Sequence, residues 1–339
     1  MTSRAQIIEA FRTPIATPLI AAPAIAVRCG VGAVLIKDES RRSFGNFKML
    51  GGLAAGLSAL ARFAGTPVES LFAMDGRHLP PLVCASDGNH GLAVAAAASA
   101  AATRAIVFLH DDVDHRRAAR IRELGAEIVR VSGTYDDAVD RAATFAAGGG
   151  GLLIADTSER TDDPVVTDVI AGYRRIIDEL EEAARRSMTH AFIQAGVGGL
   201  AAAVAEAFAR RQGPPIRMIV VEPDQAACVG HALRHGVAEP IPGSLVTTAE
   251  MLSCGVASVP ALAILQRHGA EAATVSETEL GAAVPILAAE AGVEASPSGA
   301  AGLAGLLRAA ADPCRRAHFR LDRSSTVFLV ASEGAAPSA

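Results

Sequence analysis

Apolar and polar positions fall in short alternating blocks along the chain, and the block lengths predict a regular succession of strands and helices. Apolar runs at 33–36, 81–85, 105–109, 127–131, 152–155, 191–194, 217–221 and 326–330 have the length and boundaries of buried strands. Segments with helical spacing lie between them, at 47–63, 89–102, 114–124, 135–147, 164–184, 199–211, 278–291 and 298–310. Gly125 and the glycines at 148–151 end two of these helices. Pro164 opens another, at a position where a missing N–H costs little. Strands alternating with helices imply parallel sheets with helices on both faces. Ten or so such elements exceed one comfortable sheet, so two α/β layers are expected.

Composition sharpens this picture. The 339 residues are 50% hydrophobic and 20% charged, with a mean hydropathy of +0.31. That is ample apolar surface to offset chain entropy, so a disordered chain is excluded. Net charge is −5, which offers no broad basic surface for nucleic acid. Tryptophan is absent and aromatics total 4%, too few for base-stacking platforms or a membrane aromatic belt. No apolar run reaches the ~20 residues of a membrane helix. The start of the chain carries Glu9 and lacks the apolar core of a secretory signal. Five widely spaced cysteines with no CxxC pair read as reduced thiols of a cytoplasmic protein.

In parallel sheets, ligands bind beyond the carboxyl ends of strands, so chemistry is sought in the strand-to-helix turns. Lys48, in KDESRRSFGNFKMLGG, stands where a helix begins, among basic residues that are otherwise nearly all arginine. The helix dipole disfavours a cation there, a placement that favours the neutral, nucleophilic amine; a surface lysine is the plainer alternative. SDGNHG at 86–91 brackets an Asn-His pair with glycines. It fits either a ligand turn with Asp87 as a base or an Asp-Gly turn with a capping Asn89. QAGVGGL at 194–200 places glycines between a strand and a helix, which suits a phosphate cradle or a tight packing turn. Ser332, at the end of the last strand, says little by itself. His231 and His235 have i,i+4 spacing, but with no HExxH pattern they read as a solvated helix face, and no metal is expected.

Together these motifs resemble the fold type II pyridoxal-phosphate enzymes, the group of tryptophan synthase β. Within that group the chain is most similar to the diaminopropionate ammonia-lyases. KDES, FK-LGG, SDGNHG, ADTSER (155–160), QAGVGGL, VVEPDQA (220–226), MLSCG and ILQRHGA (264–270) carry the likeness across most of 33–334. The resemblance implies an α/β fold of two domains with parallel and mixed sheets. A small domain at 80–155 would be inserted in a large cofactor-binding domain made of 1–79 and 156–339.

It also implies roles. Lys48 would form the Schiff base with pyridoxal 5′-phosphate, beside Phe47. Asn89 would bond the cofactor's phenolic oxygen. The N–H groups of Gly196, Val197, Gly198 and Gly199 would hold its phosphate, and Ser332 would face its ring nitrogen. Asp87 and Asp156 would be catalytic carboxylates suited to a dicationic amino acid. The implied reaction is α,β-elimination of 2,3-diaminopropionate, or a related β-substituted amino acid, through aminoacrylate to pyruvate and ammonia. Threonine or serine dehydration, or β-replacement, is the alternative within the same fold. The expected partners are a small amino-acid substrate and a second copy of the chain, in the cytoplasm, with no nucleic acid and no membrane.

Overall fold

The computed structural model describes residues 2–86 and 88–335. Ten strands run in chain order: β1 (Leu19–Ala21), β2 (Ala33–Asp38), β3 (Leu82–Ala85), β4 (Ala105–His110), β5 (Glu127–Val131), β6 (Leu152–Leu153), β7 (His190–Gln194), β8 (Arg217–Pro223), β9 (Glu271–Val275) and β10 (Thr326–Ala331). They form two sheets, and helices alternate with the strands as expected. No helix among the described residues is long and apolar enough to cross a membrane.

Packing divides the chain into two compact units. The first comprises 1–15, 48–156 and 162–172; the second comprises 16–47, 157–161 and 173–339. All strands of the four-stranded sheet fall within 80–155, the segment expected as the inserted domain, and packing adds the helix Lys48–Ala64 to the same unit.

In the first unit the order is β5-β4-β3-β6, all parallel. Val83, Ile106, Phe108 and Val131 form the core on one side. The helix Asn89–Ala100 follows β3 and is buried on every side. Its alanines serve close packing, because a Cβ at Gly52 would come within 2.6 Å of Ala93 Cβ, and one at Gly56 within 2.6 Å of Ala97 Cβ. Small residues on both helices thus let the Lys48–Ala64 helix approach at short range.

In the second unit the order is β1-β2-β10-β7-β8-β9, with β1 antiparallel and the rest parallel. Val34, Ile36, Phe192, Ile219, Val221, Val327 and Leu329 meet Leu303 and Leu306 of the helix Pro297–Ala311 in its core. β10, the last strand made, lies between β2 and β7 and brings Ala331 opposite Asp38.

Several elements differ from the sequence reading: β1, β9 and the helices Arg4–Arg12, Pro23–Cys29 and Val259–Arg267 have no counterpart in it, and one expected helix is broken. The helix expected over 164–184 is broken into Pro164–Tyr173, Arg175–Asp178 and Glu182–Ser187. The first break falls where the chain leaves one packing unit for the other. There Gly172 lies against the backbone of Leu50 and Gly51, while Arg174 turns to an ion pair with Glu206 at 2.7 Å. β9 was not foreseen, because EAATV is only partly buried and has no continuous apolar run.

Candidate active site

Each unit assembles part of the expected site. In the first, Lys48 opens its helix and lies 2.5 Å from a carboxylate oxygen of Asp156. Asp156 is buried, and its partner ammonium is 22% exposed. Burial pushes the Asp156 carboxyl up, but the charge of Lys48 and the Lys48 hydrogen bond outweigh it and hold the group well below the usual carboxylate range. Asp156 is therefore an anion at neutral pH, and it holds the lysine amine in one place.

His90 stands beside this pair. Its Nε2 lies 2.7 Å from the carbonyl of Ile154, which assigns the proton to Nε2. Complete burial pushes the imidazole below its ordinary value, and the Lys48 charge acts in the same direction. A neutral His90 follows, with Nδ1 making no hydrogen bond among the described residues.

The 86–91 turn is organised by Ser86. Its Oγ accepts from the N–H of Gly88 at 2.9 Å and of Gly91 at 2.8 Å. Gly88, at φ +142°, is the residue before the helix, and a Cβ there would lie 3.0 Å from Arg117 Cδ. Capping thus falls to Ser86, whereas Asn89, the capping residue of the turn reading, is the first residue of the helix. Asp87 lies outside the described residues.

In the second unit, β7 ends at Gln194 and the helix Gly199–Ala209 begins five residues later. The turn between them carries Gly196, Val197 and Gly198. A Cβ on Gly196 would come within 3.0 Å of Cys254 Sγ, and Gly198 has φ +98°. The first N–H groups of a helix have no intrahelical acceptor, so this turn lies at the positive end of the helix dipole beside backbone donors.

Ser332 lies just past β10 and is buried. Gln194 Nε2 donates to its Oγ at 2.8 Å and to the carbonyl of Val330 at 2.9 Å. The hydroxyl accepts from Gln194, so its own hydrogen is available to donate. Phe47 is tied to the same place, because its N–H donates to the carbonyl of Ser332 at 3.0 Å and its ring meets Tyr173 with centroids 4.7 Å apart. A Cβ on Gly199 would lie 3.6 Å from the Tyr173 ring, so turn, tyrosine, phenylalanine and serine form one connected group. Lys48 is the next residue along the chain from Phe47.

The sequence reading missed three organisers: Ser86, His90 and Gln194. Gln194 had a signal, as the one polar residue after Ala-Phe-Ile in an otherwise buried strand. It also missed a buried ion network behind 37–47. Lys37 Nζ lies 2.7 Å from Glu179 and 2.7 Å from the carbonyl of Thr17. Arg42 binds Glu39 and Glu179, each through two contacts at 2.7–2.8 Å.

Comparison with known proteins gives a consistent outcome. The chain is 28% identical to the diaminopropionate ammonia-lyase of Escherichia coli strain K12, over 98% of this chain and 88% of that protein. The crystal structure of holo diaminopropionate ammonia lyase from Escherichia coli superposes with a TM-score of 0.85 at 27% identity, covering 98% of this chain and 88% of that one. A biosynthetic L-threonine dehydratase from Pasteurella multocida is 29% identical over 86% of this chain and 52% of its own length. The family model described as "Pyridoxal-phosphate dependent enzyme" matches residues 11–323, and the chain belongs to that family of enzymes.

Proposed function

We propose that this enzyme eliminates the β-amino group of 2,3-diaminopropionate, giving pyruvate and ammonia. The observation that carries the reading is the buried Asp156 carboxylate 2.5 Å from Lys48. The likeness to the Escherichia coli lyase supports the substrate.

The residues suit the cofactor. The turn at 196–199 precedes a helix N-terminus, whose N–H groups and dipole would suit the phosphate, and Gly196 lets it pack against Met251, Leu252 and Cys254. Ser332 has a hydrogen to donate to a ring nitrogen, and a neutral hydroxyl leaves that nitrogen largely unprotonated. Lys48 would hold the aldehyde carbon, Asn89 the phenolic oxygen, and Phe47 would flank the ring. When bound, pyridoxal phosphate supplies an electron sink for the carbanion formed beside the substrate's α-amino group.

The protein's residues do the rest. Lys48 would take the Cα proton of an L-substrate at Nζ. Asp87 would be the base for a D-substrate and the acid that protonates the departing β-amino group. Asp156, fixed as an anion, orients Lys48 and offers a partner for a second ammonium on the substrate. The enamine released into water hydrolyses to pyruvate, so each substrate yields two ammonia molecules. We read the working form as a homodimer in the cytoplasm, with 80–155 as the inserted domain.

The test is pyruvate release by the cofactor-loaded enzyme from L- and D-2,3-diaminopropionate, with serine and threonine beside them. Turnover of either diaminopropionate isomer well above the hydroxy amino acids is the expected result. Turnover confined to serine or threonine would replace this reading with a dehydratase, the reaction named for the Pasteurella relative.

A further inference from the structure

We propose that His231, His235 and Glu239 form a binding site for one divalent transition-metal ion of the zinc class, separate from the residues assigned to catalysis. His231 and His235 lie four residues apart on the helix Cys228–His235, which sets both rings on one face. Their ring centroids are 4.1 Å apart. The helix stops at Gly236, left-handed at φ +84°, whose N–H closes on the carbonyl of Ala232. That reversal returns the chain so that Glu239 Oε1 lies 2.9 Å from His231 Nε2. One ligand atom from each of the three side chains lies within 4.8 Å of the other two, and among the described residues this is the one set of three that does so.

The supports around the set resemble those of a metal site. His235 Nδ1 lies 3.0 Å from the carbonyl of His231 and donates to it, which leaves the lone pair on Nε2 for a metal. Gln266 Nε2 donates to the carbonyl of Gly236 at 3.2 Å and holds the reversal. At the other end of the helix, Glu222 accepts from the N–H groups of Val229 and Gly230, both at 2.7 Å. The two imidazoles therefore ride on a short helix anchored at both ends, which reduces the entropy lost on binding.

Two imidazole nitrogens and one carboxylate oxygen form a borderline donor set. It suits Zn²⁺ and its neighbours better than Mg²⁺ or Ca²⁺, which prefer all-oxygen shells. Three protein ligands leave a fourth tetrahedral position for water. The ion would replace the hydrogen bond between His231 and Glu239 and clamp the segment after Gly236 to the helix end.

The experiment uses chelator-washed holoenzyme carrying Cys314→Ser, which removes the exposed thiol as a competing ligand. Calorimetric titration with zinc chloride is expected to show one site per chain. His235→Gln and Glu239→Gln should each weaken it roughly tenfold or more, as loss of one of three ligands requires. Zinc should raise the melting temperature of the parent and not of the variant that carries His235→Gln and Glu239→Gln together. Cobalt added in place of zinc should give the intense visible bands of a four-coordinate site. Equal affinity in parent and variants would overturn the proposal, since the ion would then be held elsewhere. Absence of saturable zinc binding, or tighter binding of magnesium than of zinc, would overturn it as well.

Discussion

The chain has two lysines, and the structure surrounds them differently. Lys37 is 1% exposed and bonded to Glu179 and to the carbonyl of Thr17. Its partner Glu179 is shared with Arg42, which also binds Glu39, so two buried cations face two carboxylates, with the exposed Arg175 at the edge of Glu179. Lys48 is 22% exposed and paired with Asp156, with a buried neutral imidazole beside it. The ammonium–carboxylate pair is common to both places. What differs is access: the Lys37 side chain is closed off from solvent, whereas that of Lys48 is partly open to it. A paired charge is open to chemistry only where its surroundings leave it a route to solvent.

Exchanging the fates of the two lysines tests this contrast most severely. Lys48→Ala should lower pyruvate release roughly a thousandfold or more, the scale set by loss of a proton-transfer group, with the fold retained by circular dichroism. Lys37→Met should do the reverse, keeping turnover per folded molecule while lowering stability. A catalytic defect in Lys37→Met that persists in fully folded protein would end the comparison.

The next effect is on stability alone. Glu179→Gln strands Lys37 and half of the Arg42 contacts in a buried place, and should cost about 3 kcal/mol or more in urea unfolding. Lys37→Met together with Glu179→Leu should cost less than Glu179→Gln, because no buried cation loses its only carboxylate: Arg42 keeps Glu39. A double variant no better than the single one would show that the network is valued for its hydrogen bonds to Thr17 rather than for charge balance.

The smallest effect concerns pH. Asp156 is held below the ordinary carboxylate value when folded. Its contribution to stability is therefore present above the unfolded pKa of about 3.9 and is lost as the solution is acidified toward and through its lower folded pKa. Asp156→Asn should remove that component, so that urea midpoints of parent and variant converge on acidification. Parallel curves would mean that the Lys48 pair does not stabilise the fold.

Much of this was legible in the sequence, for stated reasons. The order of strands and helices follows from block length, and Lys48 and the 196–199 glycines stood out because each breaks a local preference at a strand-to-helix turn. Asp156 did not stand out; ADTSER is an ordinary polar loop, and only the family likeness picked it. Sheet order was hidden as well, because β10 pairs with β2 across nearly the whole chain and no local pattern encodes that. The ion network was hidden for the same reason, since Glu179 is far in sequence from Lys37 and Arg42. Gln194 and Ser86 are single polar residues at strand ends, and their importance lies in what they hold. The helix break at 174 was unreadable because propensity favours continuation, while the chain's passage between packing units decides otherwise.

The place of β10 bears on how the protein is made. It is the final strand to emerge during synthesis, yet it belongs in the middle of its sheet, between β2 and β7. Until residue 331 has left the ribosome, those two strands lack the partner that joins them. The bonds from Phe47 to Ser332 and from Gly334 to Gly45 are also still unmade. The chain at Phe47, next to Lys48, is therefore anchored from that side only once Ser332 and Gly334 have emerged. A nascent chain interrupted before residue 332 lacks that tether, and the sheet that carries it closes only after β10 has been made.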